Sequence, residues 1–469
     1  MSQRLLFITG HLAEKSLARV LSSMAPRNFS YEIRVPGINV AALLTAAMLK
    51  RRLTDVTGFD KIIVPGRCRG DLDELSAHFG LPLERGPDEL KDLPAHFGMR
   101  VKPREIGKTD VTLFAEIVHA PHGTIDDVLA QALRYRADGA DVIDLGCLPA
   151  TPFPHLEDCI TALHEAGLKV SVDSLDRREL QRAIAAGADY VFSLTGRSLD
   201  LVADSVCIPV LIAQHAGDMD DLHRTIETFA TQGRPFFADP VLDPIHHGFT
   251  RSLSRYASLR ERYADIEILM GIGNLSELTH TDTLGLNTLL LGVVSELNIT
   301  GVLTTEVSRH CVSVVREVDR ARRVMYAARE DNMPPRHLDE SLMALHDRHP
   351  FPYSAAEVAE VARDVSDDNF RIQVTAEGLH IYNRHGLYTA RDPYDVFNAL
   401  GVEADGPHAF YLGLELARAQ IAWQLGKRYN QDEELDWGCV RPQRIDDKQD
   451  FAAERSTRQA RRKRKPRSD

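Results

Sequence analysis

Three polar residues stand where apolar runs end. Asp173 closes "KVSVD", Asp239 closes "RPFFAD", and Asn274 follows "EILMG" inside "GIGNLS". A carboxylate at the tip of a buried strand is costly unless it is paired or used. Carboxylates accept two parallel N–H bonds from an amidine-like edge, as they do from a guanidinium. A side-chain amide both donates and accepts, so it can read a lactam edge. Two acids and one amide therefore suit a flat heterocycle with adjacent N–H donors, a carbonyl acceptor and an aromatic face.

The neighbouring apolar runs end on further polar residues. His119 comes after "TLFAEIV", Ser193 sits in "DYVFSL", and Gln214 and His215 follow "IPVLIA". One loop, "PVLDPIHHG", carries Asp243, His246 and His247. A short His/Asp cluster of this kind is a signal for a metal or a phosphate; plain loop polarity is the other account of it. His119 is a second candidate for a phosphate. Asp173 has a competing role as cap of the next helix, since "DSLDRREL" holds good cap residues. Asn274 competes with the backbone preference of Asn in Gly-rich turns. Cys147 reads as a small buried residue. No catalytic residue is assigned from the sequence.

Positioning these groups requires a repeated strand–helix unit. Between residues 109 and 330 eight short apolar runs, from "TLFAEIV" to "TGVLTT", mostly alternate with helix-like stretches such as "TIDDVLAQALRYRADGA". That pattern predicts a (β/α)8 TIM barrel, whose reacting groups sit where strands end. Residues 1–108 carry strand candidates "RLLFITG", "YEIRV" and "DKIIVPG" between helical stretches, an open α/β domain. The turn "ITGHLAEKS" has one Gly and is no dinucleotide fingerprint; its helix start is a place for an anion. In residues 331–454 "FRIQVTAEGLHIYNRHGLYTA" predicts a hairpin around "AEG". The helical "HAFYLGLELARAQIAWQLGKRY" should pack on it, giving a small α+β segment.

The 469 residues are 43% hydrophobic and 26% charged, the profile of a globular protein with two or three domains. No apolar stretch is long enough for a bilayer and the first residues lack a signal-peptide layout, so a cytoplasmic protein without a membrane partner is expected. Six scattered cysteines with no Cys-x-x-Cys pair argue against a disulfide framework or a zinc knuckle. Net charge is −12, yet residues 455–469 hold eight Lys/Arg against one Asp. This tail is expected to be disordered and solvated. Without interleaved aromatics to stack on bases, nucleic acid is not an expected partner.

The heterocycle that the strand ends would suit has the donor and acceptor inventory of a pterin. "GADVIDLG", "KVSVDS", "AGADYVFSLTG" and "FFADP" resemble the pterin-binding barrel family of dihydropteroate synthases and methyltetrahydrofolate:corrinoid methyltransferases. The similarity covers roughly residues 112 to 310 and is strongest from 139 to 196. It implies that Asp173 takes the place of the pterin-binding aspartate after strand three, and Asp239 that of the aspartate after strand six. "GIGNLS" is similar to the Gly-x-Ser-Asn-x-Ser turn of the methyltransferase branch, with Asn274 as the pterin-contacting Asn. Ser193 and Gln214 complete the expected pterin set.

Departures from the family are specific. "CLPATP" stands where synthases have Glu-Ser-Thr-Arg for pyrophosphate, the first-strand Asn meets Val118 or His119, and the seventh-strand Lys is replaced within "GIGNLS". The whole layout is similar to synthase-related proteins of tetrahydromethanopterin biosynthesis. That resemblance implies joining 6-hydroxymethyl-7,8-dihydropterin diphosphate to an arylamine phosphate, 4-(β-D-ribofuranosyl)aminobenzene 5′-phosphate, with release of pyrophosphate. It also implies Mg2+, with His119, Asp243, His246 and His247 as phosphate or metal candidates, and a homodimer. Two other classes stay open: methyl transfer from a reduced pterin to a separate corrinoid protein, and pterin binding without turnover.

Overall fold

The computed structural model describes residues 3–24, 28–87, 90–98, 106–336 and 338–441. The basic tail at 455–469 lies outside the described residues. Two units divide between Asp339 and Glu340. In the first, β1 (Gln3–Ile8), β2 (Phe29–Arg34), β3 (Lys61–Val64) and β4 (Leu83–Arg85) form a parallel sheet in the order β2-β1-β3-β4. The turn after β1 does not offer its helix start to an anion. His11 N–H donates to Ile38 O at 2.8 Å and Leu12 N–H to Asn39 O at 3.1 Å. Gly10 permits this approach, since a Cβ there would lie 2.5 Å from Ala41 N.

The eight apolar runs become β5 (Thr112–Ile117), β6 (Val142–Gly146), β7 (Lys169–Asp173), β8 (Tyr190–Leu194), β9 (Ile208–Leu211), β10 (Phe237–Ala238), β11 (Glu267–Gly271) and β12 (Gly301–Thr305). They are parallel, and pairing of β12 with β5 closes the barrel. Alternation sends every second side chain inward. Phe114, Val142, Tyr190, Phe192, Val210, Phe237 and Leu269 meet there as an apolar plug. Phe114 is its hub, edge-on to Tyr190, Phe192 and Phe237 with ring centroids 5.1, 5.3 and 5.9 Å away. Gly301 makes room for it: a Cβ there would sit 2.9 Å from the Phe237 ring. At the opposite strand ends the fully buried Arg322 donates to Gly139 O at 2.9 Å and Asp319 at 2.7 Å, and also bonds Val111 O and Asp141. One guanidinium thus ties the starts of β5 and β6 to the last barrel helix, Val314–Asp331.

The second unit corrects the expected hairpin. β13 (Arg371–Thr375), β14 (Gly378–Asn383) and β15 (Gly386–Ala390) form a three-stranded antiparallel sheet, because a second turn at Arg384 and His385 returns the chain. Leu412, Leu416 and Ala419 of the helix Gly406–Leu425 share a core with Ile372, Val374, Leu379 and Ile381. Among the described residues no helix is long and apolar enough to cross a membrane.

Phe114→Ala should cost the barrel about 3–5 kcal/mol by emptying the plug. Leu133→Ala, on a helix side chain that is 48% exposed, should stay within about 0.5 kcal/mol. Denaturant midpoints of the two variants check this, and equal losses would contradict a plug centred on Phe114.

Candidate functional site

The floor of the site is the plug, and its walls follow from counting two residues further along each strand. Glu116 lies two beyond Phe114, Asp144 two beyond Val142, Asp239 two beyond Phe237, and Thr305 two beyond Leu303. All share the inward face. Glu116 and Asp144 are register partners across β5 and β6. Asp144 in turn neighbours Ser171 on β7, whose hydroxyl donates to Asp144 Oδ1 at 2.6 Å. Asp173 lies two beyond Ser171 and beside Gly146.

Strand β8 breaks the alternation to serve this layer. Its pairing with β9 shifts register between Val191 and Leu194, and Ser193 adopts φ 62. That left-handed conformation costs a non-glycine residue about 1–2 kcal/mol. It brings the Ser193 hydroxyl to Asp173 Oδ1, to which it donates at 2.6 Å. Strain of this kind gathers at functional sites. Asp239 is held separately, accepting from Tyr256 Oη at 2.6 Å and from Val241 N–H at 2.7 Å.

Four carboxyl groups thus stand on an apolar floor, and each is driven toward its neutral form. Burial, with the nearby charges of Asp173 and Glu277, pushes Glu116 up to about 7. Asp144 is fully buried and raised by that burial and by Asp173 and Glu116, while its Oδ2 has no hydrogen-bond partner. Burial raises Asp173 against the Ser193 hydrogen bond. It raises Asp239 to about 6 against the bonds from Tyr256 and Val241. Arg255 favours the Asp239 charge, but its hydrogen bonds go to Pro240 O at 3.0 Å, Val241 O at 2.6 Å and Asp243 at 2.8 Å. A ligand rich in N–H donors would satisfy Asp173 and Asp239, and Glu116, pushed up to about 7, suits proton exchange.

Asp173, Ser193 and Asp239 are brought to one mouth. Asp173 is not the cap of the helix Arg177–Ala185; Asp176 caps it, accepting from Arg178 N–H at 2.7 Å. Asn274, on the short helix Gly273–Ser276, donates from Nδ2 to Leu242 O at 3.0 Å and so laces two mouth loops together. Gln214 is exposed, its backbone N–H donating to Asp221. His119 is also exposed, at the start of a single 3-10 turn. The expected Asp243, His246 and His247 cluster is not gathered: Asp243 is engaged by Arg255, and both histidines are exposed. Among the described residues no three His, Cys, Asp or Glu side chains are placed to hold a metal ion. These donors therefore do not fit a protein-held Mg2+. Glu116 and Asp144 escaped the sequence reading, which looked at the last residue of each run. The signal was an acid two places beyond an inward apolar residue, in "LFAEIV" and "DVIDLG".

A family of unknown function (DUF6513) matches residues 3–88. Across its length the chain is similar to an uncharacterized protein of Methanocaldococcus jannaschii, 24% identical over 92% of this chain and 99% of that one. Similar solved structures include the Yersinia pestis dihydropteroate synthase with a sulfonamide drug, 16% identical with a TM-score of 0.38, covering 47% of this chain and 94% of that one. The Thermus thermophilus dihydropteroate synthase is another, 19% identical with a TM-score of 0.37, covering 48% of this chain and 95% of that one.

Raised carboxyl values make stability fall with pH. A group raised on folding contributes fully below its unfolded value, near 4, and loses that contribution as pH rises through the folded value, here about 6 for Asp239 and about 7 for Glu116. The barrel should be less stable at a pH of about 8 than at about 5, and Glu116→Gln should remove up to about 3 kcal/mol of the difference. Urea melts at both values test this; equal pH losses in wild type and variant would contradict it.

Proposed function

We propose that the barrel mouth binds a reduced pterin and acts as a dihydropteroate synthase-like transferase. The single observation that carries this is the Asp173–Ser193 pair facing the same acid-lined mouth as Asp239, above an aromatic floor. In this reading Asp173 accepts two parallel N–H bonds from the pterin edge, which stabilise its charged form against burial. Ser193 orients Asp173 and Tyr256 orients Asp239 through one oxygen each, and lone pairs on both oxygens stay open to the ligand. Asn274 holds the rim.

The proposed substrate is 6-hydroxymethyl-7,8-dihydropterin diphosphate, and the acceptor 4-(β-D-ribofuranosyl)aminobenzene 5′-phosphate, a step of tetrahydromethanopterin biosynthesis. The C–O bond to diphosphate breaks as the aniline nitrogen bonds the exocyclic methylene. The pterin ring stabilises the developing cation, so positioning supplies most of the catalysis. The absence of Glu-Ser-Thr-Arg from "CLPATP" agrees with an acceptor that carries ribose phosphate in place of a carboxylate. Mg2+ enters only as the counter-ion the diphosphate brings. The "GIGNLS" turn favours one other reading, methyl transfer from a reduced pterin to a separate corrinoid protein.

The test is incubation of the protein with Mg2+, the dihydropterin diphosphate and either 4-aminobenzoate or the ribosylated aminobenzene phosphate, with pyrophosphate and coupled product measured. Product should form with the ribosylated acceptor alone. Asp173→Ala should weaken pterin binding by about 10- to 100-fold, the worth of a charged hydrogen-bond pair. Tight pterin binding with no pyrophosphate from either acceptor would end the synthase reading and leave methyl transfer or binding alone.

A further inference from the structure

Glu116 is the member of the carboxyl layer that no fold requirement explains. Ser171 holds Asp144, Ser193 holds Asp173, and Tyr256 with Val241 N–H holds Asp239. The Glu116 carboxyl has no hydrogen-bond partner among the described residues. Its place is nonetheless built. Phe114 lies beneath it on the same strand face, and Thr305 and Asp144 flank it in register on β12 and β6. Gly146 opens the space its carboxyl enters, since a Cβ there would fall 2.6 Å from Glu116 Oε1. The side chain keeps partial exposure toward the mouth, while Asp144 beside it has none.

We propose that Glu116 is a catalytic residue, the proton acceptor for the arylamine nitrogen; this rests on the transferase reading given above. As the aniline nitrogen bonds the methylene carbon, the C–O bond breaks and its electron pair leaves with pyrophosphate. The nitrogen then carries a positive charge and must lose one N–H proton. That proton passes to the Glu116 carboxylate, and from there to solvent when product leaves the open mouth. Asp173 and Asp239 cannot take this part, because their open lone pairs are committed to the pterin edge. Asp144 is enclosed, with Ser171 on one oxygen and no route to solvent on the other. The charged groups that act on Glu116 are Asp144 on β6, Asp173 on β7 and Glu277 beyond β11, all acids. Burial first, and these like charges after it, push Glu116 up to about 7, where an acceptor works best.

Glu116→Gln keeps the size and removes the acceptor. The variant should bind the dihydropterin within about threefold of wild type by calorimetry, since it leaves the pterin contacts in place. Its pyrophosphate release with the ribosylated acceptor should fall about 100- to 10,000-fold, and the rise of rate with pH through neutrality should flatten. Glu116→Asp should keep that pH dependence at a reduced rate. Infrared titration should show carboxylic-acid absorption near neutrality in wild type that loses one component in Glu116→Gln. Wild-type rate and pH profile in Glu116→Gln would overturn the proposal, as would pterin binding lost in step with rate. A wild-type protein that releases no pyrophosphate with either acceptor would instead overturn the transferase reading, and this inference with it.

Discussion

A carboxylate set on an apolar floor must find a hydrogen-bond donor, share a proton or wait for a ligand. The plug around Phe114 imposes this choice on every acid above it. Ser171, Ser193 and Tyr256 each satisfy one carboxyl oxygen. The other oxygens have no equivalent donor from the barrel wall, and Asp144 Oδ2 is buried without one. Burial and like charge then raise all four carboxyl groups toward their neutral forms. The arrangement costs stability as pH rises, which the fold alone does not require. A ligand that supplies N–H donors would offset that cost.

The rest of the barrel arranges for this layer to exist. Closure between β12 and β5 sets Glu116 beside Thr305, and the β5–β6 register sets it beside Asp144. Two local departures finish the site. The left-handed Ser193 turns a residue that plain alternation would have sent outward toward Asp173, and Gly146 leaves room for the Glu116 carboxyl. At the other end Arg322 gathers Val111, Gly139, Asp141 and Asp319 around a buried charge, and this locks the starts of the first two barrel strands. Removing one partner of such a cluster would leave an unpaired buried charge at that end of the barrel.

The barrel was legible because eight short apolar runs, most with a helix-like stretch between them, leave little choice of fold. Asp173 and Asp239 were legible because each ends its run. Glu116 was hidden one residue before the end of "TLFAEI", where an acid reads as an interruption of an apolar strand. Only knowing that Phe114 points inward turns that acid toward the mouth. The loop cluster at Asp243, His246 and His247 misled for the converse reason. Neighbours in sequence need not converge, and Arg255, on the helix that follows the loop, claims the aspartate. The third strand of the C-terminal sheet was missed because "NRHG" lacks the usual hairpin pair, although it reverses the chain.

The central claim is that Asp173, buried at the barrel mouth and held by Ser193, meets the N–H edge of a pterin. Calorimetric titration of 6-hydroxymethyl-7,8-dihydropterin into the full chain near neutral pH tests it directly. The account predicts saturable binding that Asp173→Asn weakens. No binding, or binding that Asp173→Asn leaves unchanged, would contradict it.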